Sequence, residues 1–167
     1  MIPSKIVDTT KNKGDTSYLG NIHVKKDGVE EDWTQEKVAE YAKCMADPSY
    51  FARSHLKVIN LNDGLVPFEL YPYQEEMFNH FNNNRFSIIL ACRQSGKSIS
   101  SVGHILWFAI FHPEKNIAVV ANKGATAREM LSRVTLMLEN LPFFLQPGCK
   151  VLNKGTIEFS NNSKIFA

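Results

Sequence analysis

Hydrophobic and polar positions divide the first part of the chain into a polar arm and a small apolar unit. Residues 1–31 are rich in Lys, Asp, Asn, Thr and Gly and show no sustained periodicity, which predicts a flexible arm. Apolar residues recur at helical spacing over 33–46, and Pro48 should end that helix because proline opposes its continuation. A β-favouring run at 56–61 and an Asn-Asp-Gly turn follow. Residues 32–70 are therefore predicted to form a small, mostly helical N-terminal subdomain.

From residue 71 onward, helical and strand-like segments alternate. Pro72 begins a predicted helix that extends to about residue 82. A strand, a loop, a helix and a buried strand follow, and they form one β-α-β unit that is expected to be parallel and right-handed. A Thr-Ala-Arg-Glu capping box opens the next helix. The predicted segments are a strand at 86–91, a loop at 92–96, a helix at 97–112, a strand at 117–121, a helix from 126 to about 140, and strands at 151–152, 156–159 and 164–166. This alternation predicts the α/β class.

Composition fits one soluble globular domain. The chain has 167 residues, of which 44% are hydrophobic and 22% are charged. Its longest apolar runs are far shorter than the roughly 20 residues that a membrane span requires, and an apolar signal segment is not seen at its N-terminus. We therefore expect no membrane association and no secretion.

Cysteine content and net charge add little about chemistry. Cys44, Cys92 and Cys149 lack paired metal-ligand spacing, so we expect reduced thiols, with neither a disulfide nor a zinc site. The net charge is +2, from 19 basic and 17 acidic residues spread along the chain. Because no block of basic charge stands out, composition alone does not indicate a nucleic-acid partner.

One segment carries a recognisable chemical motif. Residues 91–98 read Ala-Cys-Arg-Gln-Ser-Gly-Lys-Ser, between a predicted strand and a predicted helix. In a phosphate-binding P-loop, backbone N–H groups and a helix N-terminus surround phosphate oxygens. Gly96 would let the backbone close on the phosphates, Lys97 would add positive charge, and Ser98 would ligate Mg²⁺. The strict pattern has glycine where Ala91 stands, and the alternative is a surface turn with an exposed lysine, but the flanking strand and helix favour nucleotide binding.

Three residues near the loop, Cys92, Arg93 and Gln74, have two interpretations each. Cys92 is a small side chain packed at the base of the loop or a reactive thiol. Arg93 stabilises charge on the transferred phosphate or braces the loop in an ion pair. Upstream, Gln74 has the donor and acceptor that the adenine N6 and N7 edge requires, and Tyr73 can stack on the base. An isolated glutamine is otherwise a solvated helix residue, and only its combination with the downstream loop points to adenine.

These residues resemble the motifs of the large terminase subunit of tailed phages, particularly the contractile-tailed myovirus type. The resemblance spans roughly residue 47 to the last residue. Its motifs are Phe68-Glu69-Leu70-Tyr71-Pro72-Tyr73-Gln74, Cys92-Arg93-Gln94-Ser95-Gly96-Lys97-Ser98, Ala121-Asn122-Lys123-Gly124, Leu141-Pro142 with Leu145-Gln146-Pro147-Gly148, and Asn153-Lys154-Gly155-Thr156-Ile157-Glu158. The family's loop reads Ser-Arg-Gln-x-Gly-Lys-Thr or Ser, so Arg93 and Gln94 match while Cys92 replaces the usual serine.

The resemblance implies a P-loop NTPase fold with a parallel sheet, of which residues 71–167 would be the front part. Lys97 and Arg93 would be the catalytic residues, with Arg93 sensing the γ-phosphate, and Ser98 would ligate Mg²⁺. The residues that would bind ATP are Tyr73, Gln74, Cys92, Arg93, Gln94, Ser95, Gly96, Lys97 and Ser98.

The resemblance also implies a function, partners and a location. A terminase motor drives duplex DNA through the portal into an empty capsid, and a C-terminal ribonuclease-H-like nuclease cuts the DNA. The implied partners are double-stranded DNA, the portal protein, the small terminase subunit and the remainder of the terminase chain. The implied location is the host cytoplasm and, transiently, the procapsid portal vertex.

Much of that motor is missing from this sequence. A Walker B strand would end in Asp followed by a catalytic Glu, and no Asp-Glu follows an apolar run after Ala121. We expect the chain alone to be inactive, with Walker B encoded within roughly 30 codons downstream or in a neighbouring reading frame. One alternative is a non-catalytic module that binds nucleotide, portal or small terminase. Another is a fragment of a helicase-like ATPase, against which Arg93-Gln94 argues.

Overall fold

The structure is a computed structural model that describes residues 16–60 and 62–167. These residues form a mixed α/β fold with five α-helices and eight β-strands. The helices are α1 (Gln35–Ala46), α2 (Pro48–His55), α3 (Pro72–Asn83), α4 (Lys97–Phe111) and α5 (Gly124–Glu139). The strands are β1 (Ser17–Tyr18), β2 (Asn21–Lys25), β3 (Lys57–Asn60), β4 (Gly64–Pro67), β5 (Asn116–Ala118), β6 (Cys149–Leu152), β7 (Thr156–Phe159) and β8 (Lys164–Phe166). Across the described ranges, no helix is both long and apolar enough to span a bilayer.

The main sheet has four strands in the order β5-β8-β7-β6. β5 runs parallel to β8, with Ile117 opposite Ile165, whereas the β8/β7 and β7/β6 pairs are antiparallel. The described sheet is therefore mixed, which differs from the parallel sheet that the resemblance implies. The reason is that β6, β7 and β8 follow one another through tight turns, and tight turns join only antiparallel strands.

Helix α4 lies at the centre of the core. It packs against α2, α3 and α5. A β-carbon at Gly103 would lie 3.0 Å from Leu56 Cδ1 and 3.3 Å from Phe78 Cζ, so the glycine permits this close packing. The buried side chains of α4 include Val102, Leu106, Trp107, Ala109, Ile110 and Phe111. This packing fixes the helix, and with it the residues that precede its N-terminus.

The turn between β7 and β8 caps the C-terminal end of α4. Asn161 Nδ2 donates to the carbonyls of Ala109 at 2.9 Å and Ile110 at 3.1 Å. Ser163 Oγ donates to the carbonyl of His112 at 2.7 Å. Since the last carbonyls of a helix have no partner inside the helix, this turn satisfies them and joins the sheet to α4.

Residues 16–31 are structured, which differs from the predicted flexible arm. Strands β1 and β2 form an antiparallel hairpin. The buried Gln146 side chain holds that hairpin, because its Oε1 accepts from the Lys25 N–H at 2.9 Å and its Nε2 donates to the His23 carbonyl at 2.9 Å. Contacts with a residue far along the chain order this segment, and periodicity does not reveal such contacts. The rest of the predicted arm, residues 1–15, lies outside the described residues.

The predicted N-terminal subdomain shares the core of the rest of the chain. Its buried residues Phe51 and Leu56 belong to the same hydrophobic cluster as Leu106. Helix α2 begins directly after α1, since Asp47 accepts from the Ser49 N–H at 2.8 Å and so caps the second helix. Strands β3 and β4 form a hairpin at the predicted β-favouring run. Residues 32–70 therefore pack onto α4 and do not form a separate core.

Several predicted boundaries agree closely with the structure, and one differs. Helix α3 starts at Pro72, α4 starts at Lys97, and β7 and β8 occupy the predicted residues. Helix α5 begins at Gly124, before the predicted capping box. Glu129 of that box instead accepts from Arg133 NH2 at 2.7 Å, one turn further along the helix. A side-chain pair inside the helix has therefore replaced the predicted cap.

The predicted strand at residues 86–91 pairs with no strand in the described part of the chain. Phe86, Ile88 and Leu90 are exposed, whereas the residues between them are partly buried. Such alternation is typical of a strand with one covered face. Residues 86–91 and β5 are not neighbours, since β5 pairs with β8.

Candidate functional site

The phosphate-loop motif lies between the unpaired residues 86–91 and the N-terminus of α4. Gln94 has φ of 62° and Gly96 has φ of 73°, and Gly96 is the N-cap of α4. These left-handed conformations turn the backbone sharply, and glycine adopts them readily. Within the described residues, the N–H of Gly96 donates to no other group. The loop thus combines a sharp turn, a free backbone donor and a helix N-terminus, which are the components of an anion-binding loop.

Lys97 turns back onto the loop that precedes it. Its Nζ donates to the carbonyl of Cys92 at 2.9 Å, and Ser95 Oγ donates to the same carbonyl at 3.0 Å. The lysine ammonium is a mobile point charge with three donors. It can therefore exchange the Cys92 carbonyl for the oxygen of an anion held by the loop.

The first turn of α3 lies against this loop. Tyr73 OH donates to the carbonyl of Ser95 at 2.7 Å. Gln74 lies beside Gly96, because a β-carbon at residue 96 would lie 2.5 Å from Gln74 Nε2. Residues that are 22 positions apart in the sequence are thus brought into one site.

Gln74 is buried, with 2% of its surface exposed. Its Oε1 accepts from the Tyr71 N–H at 2.9 Å, which satisfies one of the free backbone donors at the start of α3. Its Nε2 faces Gly96. In this structure Gln74 therefore supports the loop, and an adenine would meet its amide only after the side chain turned outward.

Tyr71 and Tyr73 form a stacked, exposed aromatic pair beside the loop. Their ring centroids lie 5.7 Å apart and their planes differ by 8°. Exposed aromatic faces provide apolar surface on which a planar base can stack. Tyr71 was not among the predicted binding residues. The Tyr-Pro-Tyr sequence was a usable signal, although it did not show that the two rings stack.

The remaining predicted residues surround the loop. Cys92 and Arg93 are exposed, so the Cys92 thiol is not packed at the base of the loop. Arg93 forms no ion pair or side-chain hydrogen bond with any described residue, so the loop-bracing interpretation finds no partner. Ser98 is half-buried on the first turn of α4. A hydroxyl oxygen is the type of ligand that Mg²⁺ takes in proteins.

A second group of chemically active side chains joins α1 to α2. Glu40, Cys44 and His55 bring a carboxylate, a thiol and an imidazole within 4.8 Å of one another. Glu40 Oε1 lies 2.8 Å from His55 Nε2 and accepts from Tyr50 OH at 2.9 Å. The hydrogen bond with His55 lowers the pKa of Glu40, and burial raises the pKa of the Cys44 thiol to about 12. Because metals bind the thiolate form, this group is better described as a hydrogen-bonded junction between two helices.

A cavity of about 560 Å³ runs along α5. The turn after β6 forms its other side. Its charged lining residues are Arg128, Glu129, Glu139 and Lys154. No lining residue belongs to the phosphate loop or to α3, and the mixed charges do not identify a ligand.

A comparison with models of known protein families finds no match to this sequence. The candidate site is therefore described by its own geometry. It consists of the loop at residues 92–98 and the first turn of α3, which lies against Gly96.

Proposed function

We propose that this chain is the ATP-binding part of a viral DNA-packaging motor of the terminase type. The observation that carries the proposal is the contact between the first turn of α3 and the phosphate loop. The sequence points to Tyr73 and Gln74 through their chemistry and their place upstream of the Lys97 motif, but it gives no distance in space between these residues. Their convergence at the N-terminus of a buried helix is expected of a nucleotide site and not of an ordinary surface turn.

In this proposal, different residues of the site bind different parts of ATP and its Mg²⁺ ion. The loop N–H groups and the α4 N-terminus contact phosphate oxygens, and Lys97 leaves the Cys92 carbonyl to reach the β and γ phosphates. Ser98 supplies one oxygen ligand to Mg²⁺. Arg93 senses the γ-phosphate. Gln74 recognises the adenine edge once its amide turns outward, and the tyrosine pair supplies the stacking surface.

The chain lacks groups that rapid hydrolysis requires. An aspartate helps to hold Mg²⁺ and another residue orients the attacking water, yet no aspartate follows Asp63 in this sequence. Turnover in this proposal therefore depends on a further polypeptide segment of the terminase chain. Double-stranded DNA, the portal protein and the small terminase subunit are the partners proposed for the complete motor.

A non-catalytic nucleotide-binding module is the second candidate function, and the missing aspartate favours it. Such a module would use the same loop and would bind portal or small terminase without turnover. A helicase-like ATPase fragment is a third candidate, and Arg93-Gln94 argues against it. Restoring a downstream segment that ends in Asp-Glu separates these candidates, because only a motor or helicase part gains ATP turnover from it.

The test is a titration of a fluorescent ATP analogue against the wild-type chain and Lys97→Ala. We expect the variant to bind at least about tenfold more weakly, because charge-assisted contacts to phosphate are worth roughly 1.5–3 kcal/mol. Lys57→Ala is the control, since Lys57 is an exposed lysine on β3. Equal affinities for wild type and Lys97→Ala would remove the P-loop assignment. DNA-stimulated ATP turnover by the monomeric chain would contradict the proposed dependence on a further segment.

A further inference from the structure

The hydrogen bond from Tyr73 determines the orientation of one peptide group in the loop. Tyr73 OH holds the Ser95 carbonyl at 2.7 Å. The Ser95–Gly96 peptide is trans, so its carbonyl and the N–H of Gly96 point in opposite directions. Holding the carbonyl toward α3 therefore directs the Gly96 N–H away from α3. That N–H has no partner among the described residues.

The side chain of Gln74 restricts Gly96 at its Cα. Gln74 Nε2 occupies the space that a β-carbon at Gly96 would need. While its Oε1 accepts from the Tyr71 N–H, the amide stays in this position. Tyr73 and Gln74 thus fix Gly96 from the side of α3, and the left-handed conformation of Gly96 is maintained at the start of α4.

We propose that Tyr73 is a positioning residue for phosphate, acting through the Ser95 carbonyl to aim the Gly96 N–H at a phosphate oxygen. This role rests on the proposed nucleotide site. It differs from base stacking because it requires the hydroxyl of Tyr73 and not the ring. A polyphosphate without any base is consequently sufficient to detect it.

Isothermal titration of inorganic tripolyphosphate tests this role with Tyr73→Phe, which keeps the ring and removes the hydroxyl. Tyr41→Phe is the control, since Tyr41 lies on α1 and its ring contacts Trp33 and Phe111, away from the loop. We expect Tyr73→Phe to bind tripolyphosphate about three- to tenfold more weakly, the usual effect of one neutral hydrogen bond, while Tyr41→Phe changes binding by less than about twofold. Adenosine affinity and melting temperature should match wild type in both variants, which separates positioning from loss of fold.

Lys97→Ala in the same titration separates this inference from the proposed function. If wild type and Lys97→Ala bind tripolyphosphate equally, or wild type does not bind it, the nucleotide site itself is wrong. If Lys97→Ala loses binding while Tyr73→Phe and Tyr41→Phe bind alike, only the positioning role of Tyr73 is wrong. A loss of adenosine affinity in Tyr73→Phe without a loss of tripolyphosphate affinity would also overturn it.

Discussion

Gly96 is the residue on which the local geometry of the site depends most. Its φ of 73° lies in the left-handed region, which costs other residues about 1–2 kcal/mol. Its Cα also faces the amide of Gln74, which leaves no space for a side chain. Two independent penalties therefore oppose any substitution at this position.

Gly96→Ala should lower the free energy of unfolding by more than Gly64→Ala does. Gly64 has nearly the same φ, at 74°, but nothing lies within 4 Å of a β-carbon placed there, so its variant measures the conformational penalty alone. We expect about 1 kcal/mol of loss for Gly64→Ala and about 1–2 kcal/mol more for Gly96→Ala, measured by urea unfolding. When Gln74 is also replaced by Ala, the additional loss of unfolding free energy caused by Gly96→Ala should be smaller, because the crowding amide is gone. A loss that is unchanged in the Gln74→Ala background would show that Gln74 does not crowd residue 96.

At the scale of elements, the contact between α3 and α4 contains a half-buried histidine. His104 lies on α4, and its ring contacts those of Phe78, Phe81 and Trp107. Its Nε2 is buried and has no hydrogen-bond partner among the residues that the structure describes. Burial, assisted by the nearby charge of His112, lowers the pKa of His104 from 6.5 to about 4. The two helices therefore pack around a neutral imidazole.

This histidine should make stability depend on pH between about 6.5 and 4. Above pH 6.5 the imidazole is neutral in both the folded and the unfolded chain. Below pH 6.5 the unfolded chain binds a proton at His104, whereas the folded chain does not. The free energy of unfolding therefore falls as the pH falls toward the folded pKa. A shift of this size corresponds to about 3 kcal/mol. We expect His104→Phe to remove most of this slope in urea unfolding at a series of pH values. His23→Gln, which changes an exposed histidine on β2, should retain it, and a slope that survives in His104→Phe would assign the effect to other groups.

At the scale of the whole molecule, two segments that the sequence predicts as core strands hold four of the five most exposed large hydrophobic side chains among the described residues. Leu90 is 100% exposed, Ile88 95%, Phe86 81% and Val120 88%. Residues 86–91 also pair with no strand in the described chain. Unpaired, apolar strand segments favour association with other chains. The described part of the molecule therefore presents an apolar, unpaired segment to which another strand could add.

The double variant Ile88→Asn/Leu90→Asn should self-associate less than wild type. Both side chains point into solvent, so the change removes apolar surface with an expected change of less than about 0.5 kcal/mol in unfolding free energy. Sedimentation velocity over a range of protein concentrations measures the effect. The control is Ile59→Asn, which removes an exposed isoleucine from the β3 hairpin and should leave association unchanged. Equal association of the double variant and wild type would show that residues 86–91 are not the contact surface.

Much of the local structure could be predicted from the sequence, because its causes are local. Pro72 suits the first turn of a helix, and Gly96-Lys97 marks the start of α4. The chemistry of the loop also follows from residue type, since a glycine, a lysine and a serine at this spacing suit a phosphate. The positions of β7 and β8 follow from β-favouring residues between turns. Each of these features depends on neighbours within a few positions.

The tertiary structure alone decided which segments meet. Strand pairing links distant residues, so the sequence could not show that β5 pairs with β8 or that residues 86–91 remain unpaired. The same holds for Gln146, which orders the hairpin of residues 16–26, and for Asn161, which caps α4. At the site, Tyr73 and Gln74 could be identified from the sequence as candidates for binding a base. Only the fold shows that Tyr73 bonds to the Ser95 carbonyl and that Gln74 lies against Gly96. Packing determines whether a side chain faces solvent or a neighbouring loop, and packing is not encoded in local spacing.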